Sequence, residues 1–366
     1  MISSGFSHAW RCAYALISGF LLLALAAPTL AENPAQGKTD ADAPHIGLIL
    51  PLNAHNFRQP AEAVKQGFLA AAKALPGAPE VRVYPTNDEV GNILAAYQAA
   101  LSKGARVIVG PLTKNAVGAL ADSDITLVPT LALSVPDIEI ARANLYLFGL
   151  SLDAETRQLA QFVAHEGRHS VLVLYSANSF GKRLQATFSD EWLRLGGQIL
   201  EQSSIGAGTD FKALHERVAA LQPDAIFLAT NAHEAQRVRP YLFETIPLYA
   251  TSQVFRAGNE ANRTLDLDGV RFLDMPWLLQ PDHPAVMVYP RAERALGTDG
   301  ERLYAMGIDA FRLAQLFFRA EMPTSGLVLD GVTGQISLGA NHQFTRELST
   351  AEFQDDEAVV RDHAKP

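Results

Sequence analysis

The amino-acid sequence predicts a two-lobed α/β fold, each lobe a parallel sheet flanked by helices, with a cleft between the lobes. Three observations carry this. Apolar runs of strand length alternate with segments whose apolar residues recur at helical spacing. The connections between them are short, as in parallel sheets covered by helices on both faces. The alternation runs to about residue 149 and then begins again.

In the first half, His45-Ile46-Gly47-Leu48-Ile49-Leu50, closed by Pro51, reads as a buried strand. Val64, Phe68, Ala72 and Leu75 mark an amphipathic helix over 61–75. A strand over 81–84, a helix carried by Val90, Leu94, Tyr97 and Leu101, a strand over 106–109 and a helix over 114–121 follow, and 125–133 is strand-like. In the second half, a helix over 153–164 precedes a strand over 170–175. Leu184, Phe188, Trp192 and Leu195 line the next helix, ahead of a strand over 198–202. Phe211, Leu214, Val218 and Leu221 line another, ahead of a strand over 224–228. After Pro247-Leu248-Tyr249-Ala250 the pattern changes. A long helix over 301–319 carries Leu303, Met306, Ala310, Leu313 and Phe317 on one face. Leu327–Leu329 and Gln335–Leu338 flank a Gly-bearing turn and read as a hairpin. The stretch after Glu352 is charged and reads as a loose tail.

The N-terminus has the layout of a secretory signal peptide. Arg11 precedes an uncharged apolar run over 13–27, and Pro28-Thr29-Leu30-Ala31 supplies small residues for cleavage after Ala31. That run is short for a membrane span, which takes roughly 20 apolar residues. Export to the periplasm, with no stable membrane span in the mature form, is therefore expected; a retained N-terminal anchor is the alternative. Residues 32–44 read as a flexible leader. Cys12, the only cysteine, precedes the apolar run, so cleavage leaves no disulfide or thiolate metal site. The net charge is −9, and loss of 1–31 removes one basic and no acidic residue. Such an acidic chain argues against a nucleic-acid partner, which requires clustered Lys and Arg.

Three motifs suggest catalysis and fail on context. His165-Glu166-Gly167-Arg168-His169 matches the zinc-hydrolase pattern H-E-x-x-H, but Gly167 reads as the end of a helix and a strand begins at Ser170. Ser179-Phe180-Gly181-Lys182-Arg183 suggests a phosphate loop but has Ser176 and Arg183 where Gly and Ser/Thr are required. Gly149-Leu150-Ser151-Leu152-Asp153 lacks the closing Gly of a nucleophile elbow, and Ser151 reads as a helix N-cap. No catalytic residue, metal or cofactor is implied. Binding candidates sit beyond the carboxyl ends of strands, where open α/β sheets hold ligands: Thr113, Lys114 and Asn115 after one strand, Ser134 and Asp137 after another, Ser179 and Phe180 at a third junction. Lys114 and Asn115 read equally well as a solvated helix start.

The ordered segments Leu48-Ile49-Leu50-Pro51-Leu52, Val109-Gly110-Pro111-Leu112-Thr113-Lys114-Asn115-Ala116-Val117, Pro129-Thr130-Leu131-Ala132-Leu133 and Phe148-Gly149-Leu150-Ser151 resemble the LppC/LpoA family of penicillin-binding-protein activators. The helix from Tyr304 to Phe317 and Leu329-Asp330-Gly331-Val332-Thr333-Gly334-Gln335-Ile336 agree, so the resemblance covers roughly 45–345. It implies a type I periplasmic-binding fold, shared with branched-chain amino-acid receptors of ABC transporters. Lobe one would combine 45–149 with 252–325 and lobe two 150–251 with 326–350, leaving 351–366 as a charged tail. The crossovers would fall near Gly149, Ala250 and Gly326. The implied function is non-catalytic stimulation of a peptidoglycan synthase; the alternative is a solute receptor taking an amino acid or related small polar ligand in the cleft. Two departures stand out. Larger activators carry a helical-repeat domain and a lipidated Cys ahead of this fold, whereas here it starts near His45 and Cys12 is misplaced. The receptors use a Ser/Thr-rich stretch where this chain has Ser134-Val135-Pro136-Asp137.

Overall fold

A computed structural model of the chain describes residues 43–361 apart from 138, 139, 141, 258–265, 324, 325, 340 and 356. The expected signal segment, and all but the last two residues of the leader, lie outside the described residues. The first sheet is built around β1 (His45–Leu50), every residue of which is buried. A strand with no solvent face must be central in a sheet covered on both sides. β2 (Val81–Pro85) and β3 (Ala105–Val109) flank it, followed by β4 (Thr130–Ala132) and β5 (Leu145–Leu147), all parallel in the order β2-β1-β3-β4-β5. The connecting helices are α1 (Arg58–Ala74), α2 (Val90–Ser102) and α3 (Lys114–Ala121). The expected strand over 125–133 shrinks to β4: Leu127 is exposed, and Pro129 has no N–H for the ladder.

The chain then enters the second lobe through α4 (Leu152–His165), β6 (Ser170–Ser176), α5 (Ser179–Arg194), β7 (Gln198–Ile205), α6 (Phe211–Leu221), β8 (Ala225–Ala229), α7 (Ala232–Val238), β9 (Leu248–Ala250) and β10 (Val270–Asp274). The short helices α8 (Pro276–Leu279) and α9 (Pro284–Met287) lead to the long α10 (Gly297–Phe318). β11 (Val328–Gly331), β12 (Gly334–Leu338) and β13 (Phe344–Glu347) form a small antiparallel sheet, and β14 (Ser349–Gln354) and β15 (Glu357–Val360) complete the second large sheet, ordered β15-β14-β10-β9-β8-β6-β7.

Three placements differ from the sequence expectation. Residues 252–325 do not stay in lobe one: β10 pairs with β9 and β14 in the second sheet, while α10 packs on α1. After Glu352, Phe353, Gln354 and residues 357–360 lie in strands and not in a loose tail, while 362–366 lie outside the described residues. Ala351 and Phe353 are buried, and Glu352 between them pairs with Arg271 and Arg361, so its charges occupy one face of a paired strand. The small sheet sits with lobe one, since the Leu147 N–H donates to the His342 carbonyl at 2.9 Å at the edge of β5. Crossings therefore fall around Gly149, after Asp274 and at Leu348, not near Ala250 or Gly326.

α1 and α10 meet at glycines. A Cβ on Gly67 would lie 1.9 Å from the Tyr304 carbonyl oxygen, and one on Gly307 would lie 2.1 Å from that of Val64. Phe68 and Phe311 close the contact edge-on at 5.2 Å. Because backbone sits where the methyl would go, Gly307→Ala should destabilise the fold by about 1–3 kcal/mol, the usual cost of overpacking. A lowered urea midpoint is the readout, and an unchanged midpoint would refute the close crossing.

At the hinge, Arg302 of α10 reaches lobe two. It donates to Asp274 at 2.7 Å, to Asp299 at 2.6 Å and to the Ser252 carbonyl at 2.9 Å. Ser252 in turn donates its N–H (2.5 Å) and its hydroxyl (3.1 Å) to Glu155. Burial, then the negative charge of Asp274, pushes the Glu155 carboxyl up to about 7 from 4.5. Burial alone would lower the Arg302 guanidinium, but the Asp274 charge beside it prevails and holds it above its ordinary value. The folded chain thus binds the Glu155 proton more tightly than the unfolded chain does. Its contribution is unchanged below pH 4.5 and turns unfavourable as pH rises from 4.5 through about 7. At 1.36 kcal/mol per pK unit the loss reaches about 3 kcal/mol. Glu155→Gln should flatten this dependence, so its melting temperature should fall less than wild type between pH 5 and pH 8; equal falls would exclude Glu155 as the source.

Candidate functional site: the interlobe cleft

The segments after β3, β4, β5 and β6, with the first turns of α3, α4 and α5, frame a cleft of about 1390 Å³. All seven residues singled out from the sequence line it: Thr113, Lys114, Asn115, Ser134, Asp137, Ser179 and Phe180. Local rules put the residues of the first and third junctions there. After β3 the chain turns at Gly110, whose φ is +104° and whose added Cβ would lie 2.0 Å from the Ile49 carbonyl oxygen, so only glycine fits. Three residues on, the Thr113 hydroxyl accepts from the Ala116 N–H at 3.3 Å and starts α3, and it donates to Asp88 at 2.5 Å. Lys114 and Asn115 then occupy the exposed first positions of the helix. Ser151 caps α4 through the Ala154 N–H at 3.2 Å, as its sequence context indicated. Asn178 caps α5 through the Gly181 N–H at 2.9 Å, which presents Ser179 and Phe180 at the cleft.

The lobes meet across this cleft through charges. Lys114 Nζ lies 2.6 Å from Asp137 Oδ1, both in lobe one. Arg183 of α5 reaches the same carboxylate at 3.4 Å and is bidentate to Asp153 of α4 at 2.8 and 2.5 Å. The bond from Arg183 holds the Asp153 carboxyl below its usual range, aided by the charges of Arg183, Arg157 and Lys114, and the bond to Asp153 raises Arg183 in turn. Sequence reasoning missed Asp88, Asp153, Arg157 and Arg183, all of which line the cleft. Arg183 stood in view as the residue that broke the phosphate-loop pattern. Its place in the first turn and a half of α5 was the available signal. A smaller cavity of about 320 Å³ lies at the hinge, lined by Glu155, Ser252, Asp274, Arg302 and Arg346 among others.

The H-E-x-x-H segment makes no metal site. α4 ends at His165, Gly167 takes φ +75°, and the Gly167 N–H donates to the Ala164 carbonyl at 3.0 Å, which turns the chain out of the helix. His169 then lies at the start of a strand, its N–H on Asp224 at 3.2 Å. Glu166, the would-be base, accepts from the Tyr249 hydroxyl and from Arg271. Among the described residues no group of three or more His, Cys, Asp or Glu is placed to hold a metal, and no helix is long and apolar enough to cross a membrane.

Comparison with known proteins agrees with this architecture. A solved structure from Chromobacterium violaceum ATCC 12472, described as that of a "putative branched-chain amino acid ABC transporter", is 36% identical, with a TM-score of 0.75, covering 85% of this chain and 100% of that one. The LpoA (YraM) C-domain from Haemophilus influenzae, a regulator of PBP1A, superposes with a TM-score of 0.72 at 22% identity, covering 87% of this chain and 100% of that one, and shares the fold. The fold is thus of the type I periplasmic-binding class. Among curated relatives, the penicillin-binding protein activator LpoA of Pantoea ananatis (strain LMG 20103) is 28% identical in an alignment of length 344 that covers 81% of this chain and 50% of that protein. LpoA of Edwardsiella ictaluri (strain 93-146) is 29% identical in an alignment of length 329 that covers 78% of this chain and 47% of that protein. The chain therefore spans about half the length of the curated relatives it matches. The model of the family described as "LppC putative lipoprotein" matches residues 39–356, nearly the whole folded body just built from its sheets and cleft, and the chain belongs to the LppC family.

Proposed function

We propose that this chain is a non-catalytic binding protein of the periplasm that engages and stimulates a peptidoglycan synthase. The carrying observation is the family match across 39–356, together with relatives named penicillin-binding protein activator LpoA over about four-fifths of the chain. The fate of the catalytic-looking segment supports a role without chemistry, since Glu166 is engaged by Tyr249 and Arg271 in a packed contact. The apolar run over 13–27 with a cleavage site after Ala31 supports export. In a pull-down from a Gram-negative envelope extract at low salt, the immobilised chain should retain a synthase that labels with fluorescent penicillin. Retention of no such protein would sink the proposal.

A second reading, a receptor for a small polar solute, is favoured by the cleft of about 1390 Å³ and by the 36% identical transporter-associated structure. Ligand at a hundred times Kd stabilises by about 2.7 kcal/mol, which shifts the melting temperature by several degrees in a chain of this size. A thermal-shift screen over amino acids, amides and short peptides should show one such shift under this reading; a flat response excludes it for those classes.

A further inference from the structure

We propose that the cleft takes a small ligand bearing a free carboxylate, held between Lys114 of one lobe and Arg183 of the other in the place Asp137 now occupies. This rests on the second reading above, that the cleft takes a solute, and names its chemistry.

Asp137 shows what the site recognises. One carboxylate is shared by cations from opposite lobes, at 2.6 Å from Lys114 and 3.4 Å from Arg183. A ligand carboxylate in that position would join the lobes as Asp137 does. Displacing Asp137 is easy: its side chain is 70% exposed, Lys114 is 41% and Arg183 is 53%, so the pairs lie in the regime where exposed ion pairs are weak. The released carboxylate returns to water. Arg183 stays aimed, because its bidentate grip on Asp153 is separate from its contact with Asp137. Arg157 also lines the cleft, and its charge acts on Asp153 alongside that of Lys114, so three cations converge on one region.

The surroundings bear on the size of the ligand and on how it is recognised. Ser134-Val135-Pro136-Asp137 offers one hydroxyl beside β4, and of the other hydroxyls lining the cleft Thr113 is engaged by Asp88 and Ser151 caps α4, which favours recognition by charge. A volume of about 1390 Å³ exceeds the roughly 300–1,000 Å³ typical of pockets for drug-sized ligands. A short peptide fits that space better than a single amino acid.

Competition by an internal carboxylate makes a prediction of opposite signs. Trialanine, with a free C-terminal carboxylate, and trialanine amide serve as probes on the full chain, read by calorimetry and thermal shift. Trialanine should bind and the amide should bind at least tenfold more weakly. Asp137→Asn should bind trialanine about two- to thirtyfold more tightly than wild type, the range set by two exposed ion pairs that no longer compete. Lys114→Ala and Arg183→Ala should each weaken it at least tenfold while melting within a few degrees of wild type. Equal binding of acid and amide overturns the carboxylate proposal and leaves the solute reading standing. Weaker trialanine binding by Asp137→Asn than by wild type overturns the displacement of Asp137. Binding of neither probe to wild type or Asp137→Asn overturns the proposal, while the solute reading is decided separately by the wider thermal-shift screen.

Discussion

The buried guanidinium of Arg302 is the interaction on which the arrangement of the two lobes depends. A charge with so little exposure must be satisfied from every side, and its partners come from different parts of the chain: Asp274 at the end of β10, Asp299 on its own helix, and the carbonyl of Ser252 after β9. Because α10 is locked onto α1 at Gly67 and Gly307, whatever Arg302 holds is positioned relative to the first lobe. The second sheet is thus held by its strand ends. A buried ion pair adds little net stability once desolvation is counted, but removing one partner is costly. Its contribution here is to orientation.

The alternation of strands and helices was legible in the sequence because each element carries its own periodicity. Lys114–Ala121 and Phe211–Leu221 fall where their apolar spacing put them. Sheet membership was not legible in the same way. Val270–Asp274 joins the second sheet by pairing with Ser349–Gln354, a partner far along the chain, and no local pattern reports that. The last strands were hidden by composition: Glu352 and Arg361 read as a charged tail until pairing shows each charge matched and Phe353 turned inward. The cleft was found because strand ends are a geometric rule. Asp153 and Arg183 were missed because their role arises only when two lobes face each other.

The H-E-x-x-H segment shows why residue spacing carries chemistry only through backbone conformation. Two histidines four apart share a helix face only if the helix continues between them. Gly167 at φ +75° ends it, and the Arg168 N–H closes the turn on the Val163 carbonyl at 3.4 Å. The carboxylate that a hydrolase would aim at water is instead tied to Tyr249 and Arg271. The glycine that breaks the motif is the same residue that lets β6 follow α4 so closely.

Two of the contacts between the lobes differ in kind. At the hinge, Arg302 and Asp274 are both below one-tenth exposed, and breaking such a pair costs about 3–5 kcal/mol. At the mouth, Arg183 and Asp137 are more than half exposed, and such pairs contribute about 0.2–1 kcal/mol. Thermal motion opens the weaker contact many times for each time it strains the stronger one. Parting the lobes at the mouth therefore costs less than disturbing the buried contacts of Arg302 with Asp274 and Ser252. A chain built this way exposes its cleft cations without giving up the contact that orients its sheets.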